Sequence, residues 1–180
     1  MSVKKTLLPA LILSVICLVM GGAVALTNAL TKDRIAAVEQ ERYLAAAREV
    51  LPADTLIPLA VEGIEGFIGQ NEAGETVGYV IKRSARGYGG DVSCVVGINT
   101  EGVIVGLSVS APDETPGLGV NVQKPAFTDA FLGLGTENVP LLGANVDGVT
   151  SATYSSRAVE AAVKAALADF EILTKGGASA

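Results

Sequence analysis

From Thr6 to Leu30 the chain carries no charged residue over 25 consecutive positions. Written as a helix, Leu7 to Leu30 rises about 36 Å, against about 30 Å for a bilayer's hydrocarbon core. That length predicts a membrane-spanning anchor. Lys4, Lys5 and the α-amine precede the stretch and Lys32 and Arg34 follow it, a small basic excess that predicts a cytoplasmic N-terminus. A cleaved signal peptide is the competing reading, with Thr27-Asn28-Ala29 as a small-residue cleavage site, but the apolar region of a signal peptide runs only about 7–15 residues. Gly21, Gly22 and Ala25 make one face of this helix small, which would let another helix approach closely. Ordinary membrane-helix composition gives the same pattern.

The pattern changes after Thr31. Between Lys32 and Leu51 apolar residues fall at Ile35, Val38, Leu44, Ala47 and Leu51 with charges between them, and Pro52 ends the run. This spacing predicts a helical stalk continuing from the anchor. Thr55–Val61, Phe67–Gln70, Thr76–Ser84, Val92–Asn99 and Val103–Ser110 are short β-branched runs separated by turn residues, the signature of an antiparallel meander. Ala111–Gln123 has no period, and Lys124–Leu134 predicts a short helix. In Ser155–Thr174, Val159, Ala162, Val163, Ala166, Leu167, Phe170 and Leu173 share one helical face. The expected organisation is a tail and anchor over 1–30, a stalk over 31–51, an α+β domain over 52–175 with its sheet packed by helices, and a flexible tail over 176–180.

Composition narrows the chemistry. The 180 residues are 49% hydrophobic but only 4% aromatic and 18% charged, and the apolar excess is concentrated in the anchor. The absence of histidine excludes Ser-His-Asp and Cys-His catalytic units, histidine metal ligands and histidine acid/base chemistry. Net charge is −6, and residues 31–180 hold 11 basic and 19 acidic side chains, net −8. With no Lys/Arg cluster to follow a phosphate backbone, nucleic acid is not an expected partner. Cys17 lies in the anchor and Cys94 far outside it, so the two are not expected to pair. Without a CxxC or four-cysteine spacing, zinc and iron–sulfur sites are not expected either, and both cysteines read as small buried side chains.

Three polar segments remain as candidate chemistry. Asp147-Gly148-Val149-Thr150-Ser151-Ala152-Thr153-Tyr154-Ser155-Ser156 gathers hydroxyls and first-turn N–H groups at the start of the last helix, a natural place for an anion. Ser or Thr there is also what an ordinary N-cap requires. Asp113-Glu114-Thr115-Pro116-Gly117-Leu118-Gly119 is a loop whose glycines let backbone approach a flat ring, or simply turn the chain. Arg86-Gly87-Tyr88-Gly89-Gly90-Asp91 is a glycine-rich connection in which Tyr88 could stack on a ring and Arg86 could meet a phosphate; taken alone it reads as a hairpin loop.

Together, in this order and behind an anchor, the Gly87–Gly90 segment, the Glu114–Gly119 loop and the Asp147–Thr153 signature resemble the FMN-binding domain of the G subunit of the Rnf electron-transport complex. The resemblance covers nearly the whole chain. It implies an electron-relay subunit, not catalytic alone, of a ferredoxin:NAD oxidoreductase complex that couples electron transfer to Na⁺ or H⁺ movement. It further implies FMN attached by a phosphoester to the threonine ending the signature, Thr153, with Asp147, Gly148, Thr150, Ser151 and Ala152 around it. Glu114, Thr115, Gly117, Leu118 and Gly119, with Tyr88, would line the isoalloxazine. Implied partners are the complex's other membrane and peripheral subunits and a flavin transferase that uses FAD as donor and needs Mg²⁺. The protein would be single-pass in the cytoplasmic membrane, with the flavin domain on the outer side. The C subunit of the sodium-translocating NADH:quinone reductase shares the flavinylated threonine but usually has a longer chain. A tethered scaffold without cofactor, with Ser151 or Thr153 as a plain cap, is the alternative of a different class. This chain departs from the family in having Pro112-Asp113 where many relatives have His-Lys, and Ser151 where Gly is commoner.

Overall fold

The computed structural model describes residues 3–176; the end of the expected tail, from residue 177, lies outside them. The chain divides into two compact units, 1–42 and 43–180. Helix α1 runs Val3–Val50. Within it an 18-residue window of mean hydropathy 2.5 is wholly unburied, making α1 long and apolar enough to cross a membrane. Cys17 is exposed on this helix, against the expectation that both cysteines are buried. Among the described residues no element covers it.

The second unit is built on a five-stranded antiparallel meander in the order β1 (Thr55–Pro58), β2 (Glu65–Gln70), β3 (Thr76–Arg86), β4 (Asp91–Asn99) and β5 (Ile104–Ser110). The strands fall where β-branched runs predict them, with shifted ends. The first run stops at Pro58, and Glu65-Gly66 extends the second by pairing with Lys82 and Ile81. Tight turns set the register. In the β4–β5 hairpin Asn99 Oδ1 accepts the N–H groups of Glu101 and Val103, and Gly102 takes φ +82°, a left-handed value that suits glycine.

Strand alternation sends alternate residues to two cores. Ile81, Val92, Cys94, Val96 and Ile98 meet Val159, Ala162, Val163, Ala166 and Phe170 of the last helix, α3 (Thr153–Gly176). All seven residues of the apolar stripe read from the sequence pack in this core. Burial pushes the Cys94 thiol up to about 12. Beside this core, Arg83 Nε donates to Asp169 Oδ2, which raises the Arg83 pKa against the opposing effect of burial.

The opposite face packs Phe67, Val80 and Val95 against Tyr43, Ala47, Val50 and Leu51. Glycines let the chain approach the sheet there. Gly97 and Gly106 are paired neighbours on β4 and β5, and a Cβ on either would overlap the Val50 carbonyl oxygen. Tyr43 packs on Phe67 with ring centroids 5.1 Å apart, while Lys82 Nζ lies 4.9 Å from the Tyr43 ring centroid and donates to Glu65 at 2.8 Å.

The segment without period after β5 is a turn leading to a 3₁₀ turn, Gly119–Gln123. The expected helix over Lys124–Leu134 is only α2 (Pro125–Thr128) followed by a 3₁₀ turn, Asp129–Phe131. It ends early because Gly133 takes φ +80° and the Leu134 carbonyl accepts from Ile104 N at 2.7 Å, which ties the chain back to β5.

Candidate functional site

Three chain segments meet beside the start of α3. The β3–β4 connection supplies Tyr88, the loop after β5 supplies Glu114, Thr115, Leu118 and Gly119, and the helix start supplies residues 151–155; together they line a cavity of about 370 Å³. Eight of the twelve residues singled out in the sequence are in that lining: Tyr88, Glu114, Thr115, Leu118, Gly119, Ser151, Ala152 and Thr153. An adjoining cavity of about 400 Å³ takes in Gly148 and Thr150 and shares Ser151 and Thr153 with the first. Thr153, exposed and first in α3, therefore borders both.

Two candidate residues line neither cavity. Asp147 is exposed. Gly117 takes φ +78° in the turn closed by Leu118 N on the Thr115 carbonyl at 3.1 Å, and its own carbonyl accepts from Asn121 Nδ2 at 2.7 Å. Its part is to bend the loop. Arg86 is exposed and reaches Asp91 at 3.4 Å.

Glu114 is expected in the lining, but its burial is not. A carboxylate in a Gly-Pro loop reads as solvated, yet Glu114 is only 3% exposed. Its Oε1 accepts the Tyr88 N–H at 2.7 Å, joining two loops 26 residues apart. Its Oε2 is buried with no hydrogen-bond partner among the described residues. Gly87 and Gly119 leave the room it occupies, since a Cβ at Gly87 would overlap Oε1 and one at Gly119 would overlap Oε2.

The helix start is held in an unexpected way. Among the described residues neither Ser151 nor Thr150 makes a side-chain hydrogen bond; Ser156, from within the helix, accepts the Val149 N–H and donates to the Ala152 carbonyl, both at 3.0 Å. Ser151 takes φ +64°, which a non-glycine residue adopts at a cost. The first-turn N–H groups of α3 have no carbonyl one turn back within the helix, and Ser156 N is the first to bond back, to the Ala152 carbonyl at 2.9 Å. The electrostatics there favour an anion.

Sequence reading missed Tyr154 and Ser155 as cavity lining and Arg157 as lining of the adjoining cavity. Tyr154 was within reach, being next to Thr153. Its exposed ring stands 6.2 Å from that of Tyr88, centroid to centroid, so two tyrosines flank the first cavity. A larger cavity, about 630 Å³, holds none of the candidate residues, and its Lys164 and Lys175 are paired with Glu160 and Glu171.

Residues 87–168 match the family described as FMN-binding domain, and residues 1–50 match the RnfG N-terminal region. The chain is 31% identical to the G subunit of the Na⁺-translocating ferredoxin:NAD⁺ oxidoreductase complex of Acetobacterium woodii, over 92% of this chain and 91% of that one. It is 27% identical to the G subunit of the proton-translocating complex of Clostridium ljungdahlii, over 91% of each. Among solved structures, the C subunit of the Na⁺-translocating NADH-quinone reductase from Parabacteroides distasonis is similar at TM-score 0.48 and 24% identity, over 58% of this chain and 59% of that one.

Proposed function

The chain belongs to the G-subunit family of ion-translocating oxidoreductase complexes, and from that premise we propose that it relays electrons between other subunits through FMN esterified to Thr153. In this reading the relay is coupled to Na⁺ or H⁺ movement; relatives of both kinds are similar to the chain, so similarity does not select the ion. The observation that carries the reading is the position of Thr153: an exposed hydroxyl-bearing residue at the first position of α3, on the shared border of two cavities.

The residues present fit the group. A phosphodiester on Thr153 keeps one negative charge, beside the unpaired N–H groups of the first helical turn and a macrodipole worth roughly 0.3–1 kcal/mol. Glycines at 87 and 119 leave room for the Glu114 carboxylate, which holds the two loops of the cavity together. When bound, FMN supplies one- and two-electron chemistry. The chain's own residues bind, orient and shield: Tyr88 and Tyr154 flank the cavity, Glu114 ties its two loops together, and the covalent link keeps the ring beside its pocket at high effective concentration. The flavin transferase acts as a transient partner, and the domain lies on the outer side of the membrane, as the basic excess before the anchor predicts.

Co-expression with a flavin transferase is expected to yield a band that fluoresces under ultraviolet light after denaturing electrophoresis. Thr153→Val removes that band, since no second ester site is proposed. A fluorescent Thr153→Val band places the link elsewhere. Consistently unmodified mass in the presence of active transferase favours a scaffold without cofactor.

A further inference from the structure

We infer that Arg157 is the counter-ion of the phosphodiester on Thr153 and draws it toward the adjoining cavity, so that the first cavity is left to the ring. The inference rests on the FMN reading above and adds to it a residue that lies beyond the Asp147–Thr153 signature. Thr153 borders both cavities, and the two differ in charge. Among the described residues no basic side chain lines the first, whose ionisable groups are the Glu114 carboxylate and the phenols of Tyr88 and Tyr154. Arg157 lines the adjoining one, exposed and one helical turn after Thr153. Residues four apart on a helix are neighbours, with Cβ atoms about 5–6 Å apart, so a guanidinium at 157 reaches a group esterified at 153.

Arg157 is also available. Among the described residues Lys82, Arg83, Arg86, Lys164 and Lys175 are each paired with a carboxylate, and Arg157 is in none of these pairs. Glu160, the carboxylate that shares the adjoining cavity with it, is engaged by Lys164 at 2.6 Å. A guanidinium presents a planar fork of donors that matches two phosphate oxygens. A phosphate turned the other way would meet the Glu114 side and no cation.

The test compares thermal midpoints of bare and FMN-loaded full-length protein in detergent, made without and with the flavin transferase. The quantity read is the loaded-minus-bare difference, in which any purely structural effect of a substitution cancels. Arg157→Gln is expected to lower that difference by roughly 2–4 °C relative to wild type, the shift that one charge-assisted contact gives in a domain of this size. Arg157→Lys keeps the charge without the fork and is expected to fall between the two. A difference equal to that of wild type in Arg157→Gln overturns the inference, because the residue then does nothing that depends on the phosphate. If Arg157→Gln is not loaded, Arg157→Lys is read in its place. Failure of both to load while their bare forms fold assigns Arg157 to recognition by the transferase and also overturns the inference. A wild-type chain that folds but takes up no FMN defeats the threonine linkage itself, a result distinct from loaded proteins whose differences coincide.

Discussion

Ser151 shows how much one residue can carry at this site. It lines both cavities, takes φ +64°, and precedes by two positions the helix that begins with Thr153. A left-handed residue with a Cβ costs about 1–2 kcal/mol, and a β-branched one is worse. Ser151→Gly relieves that cost and is expected to be more stable than wild type by up to about 1 kcal/mol, and Ser151→Val less stable than Ser151→Gly by about 2 kcal/mol. Chemical denaturation of the three proteins checks this, and equal midpoints for Val and Gly would remove the strain argument. The residue scale is also where sequence reading was least complete. The hydroxyl-rich signature and the glycine loop are local, and seven of their residues do converge with Tyr88 on one cavity. The burial of Glu114 depends on a bond to a backbone N–H 26 positions away and on two glycines from different segments, and no local pattern reports such a contact. Ser151, expected as a plain cap in the reading without cofactor, makes no side-chain hydrogen bond among the described residues; Ser156 instead ties the segment before the helix to it by accepting the Val149 N–H.

Periodicity did better for elements than for single side chains. The amphipathic stripe of α3 and the alternation of β3 and β4 report burial directly, because a helix repeats every 3.6 residues and a strand every two. Where backbone geometry is set by tertiary ties, as over residues 111–134, the same method found no period or too long a helix. The face that receives Val50 and Leu51 was not legible either, since its signal is missing side chains. Gly97 and Gly106 lie side by side beneath the Val50 carbonyl. Gly97→Ala is expected to destabilise the domain by about 1–3 kcal/mol, the usual range for overpacking, seen as a lower denaturation midpoint. A midpoint unchanged from wild type would mean that the backbone at Val50 yields freely.

At the scale of the molecule, one apolar helix and one α+β unit account for the two textures visible in the sequence. The proposed outer placement of the unit rests on two lysines and an α-amine before the anchor against two basic residues after it. A periplasmic-type reporter such as alkaline phosphatase fused after residue 180 is expected to be active and a fluorescent protein at the same place dark. The reverse pattern would put the unit inside. The two tyrosines and the cavity they flank belong to this larger scale as well, because the lining is drawn from stretches around residues 88, 114–119 and 151–155. Synthesis proceeds from the N-terminus, so the strands and both loops leave the ribosome before Thr153 and the helix that it begins. The cavity therefore closes only once residues 151–155 have been made and α3 has packed on the sheet, and in the proposed reading attachment at Thr153 follows that packing.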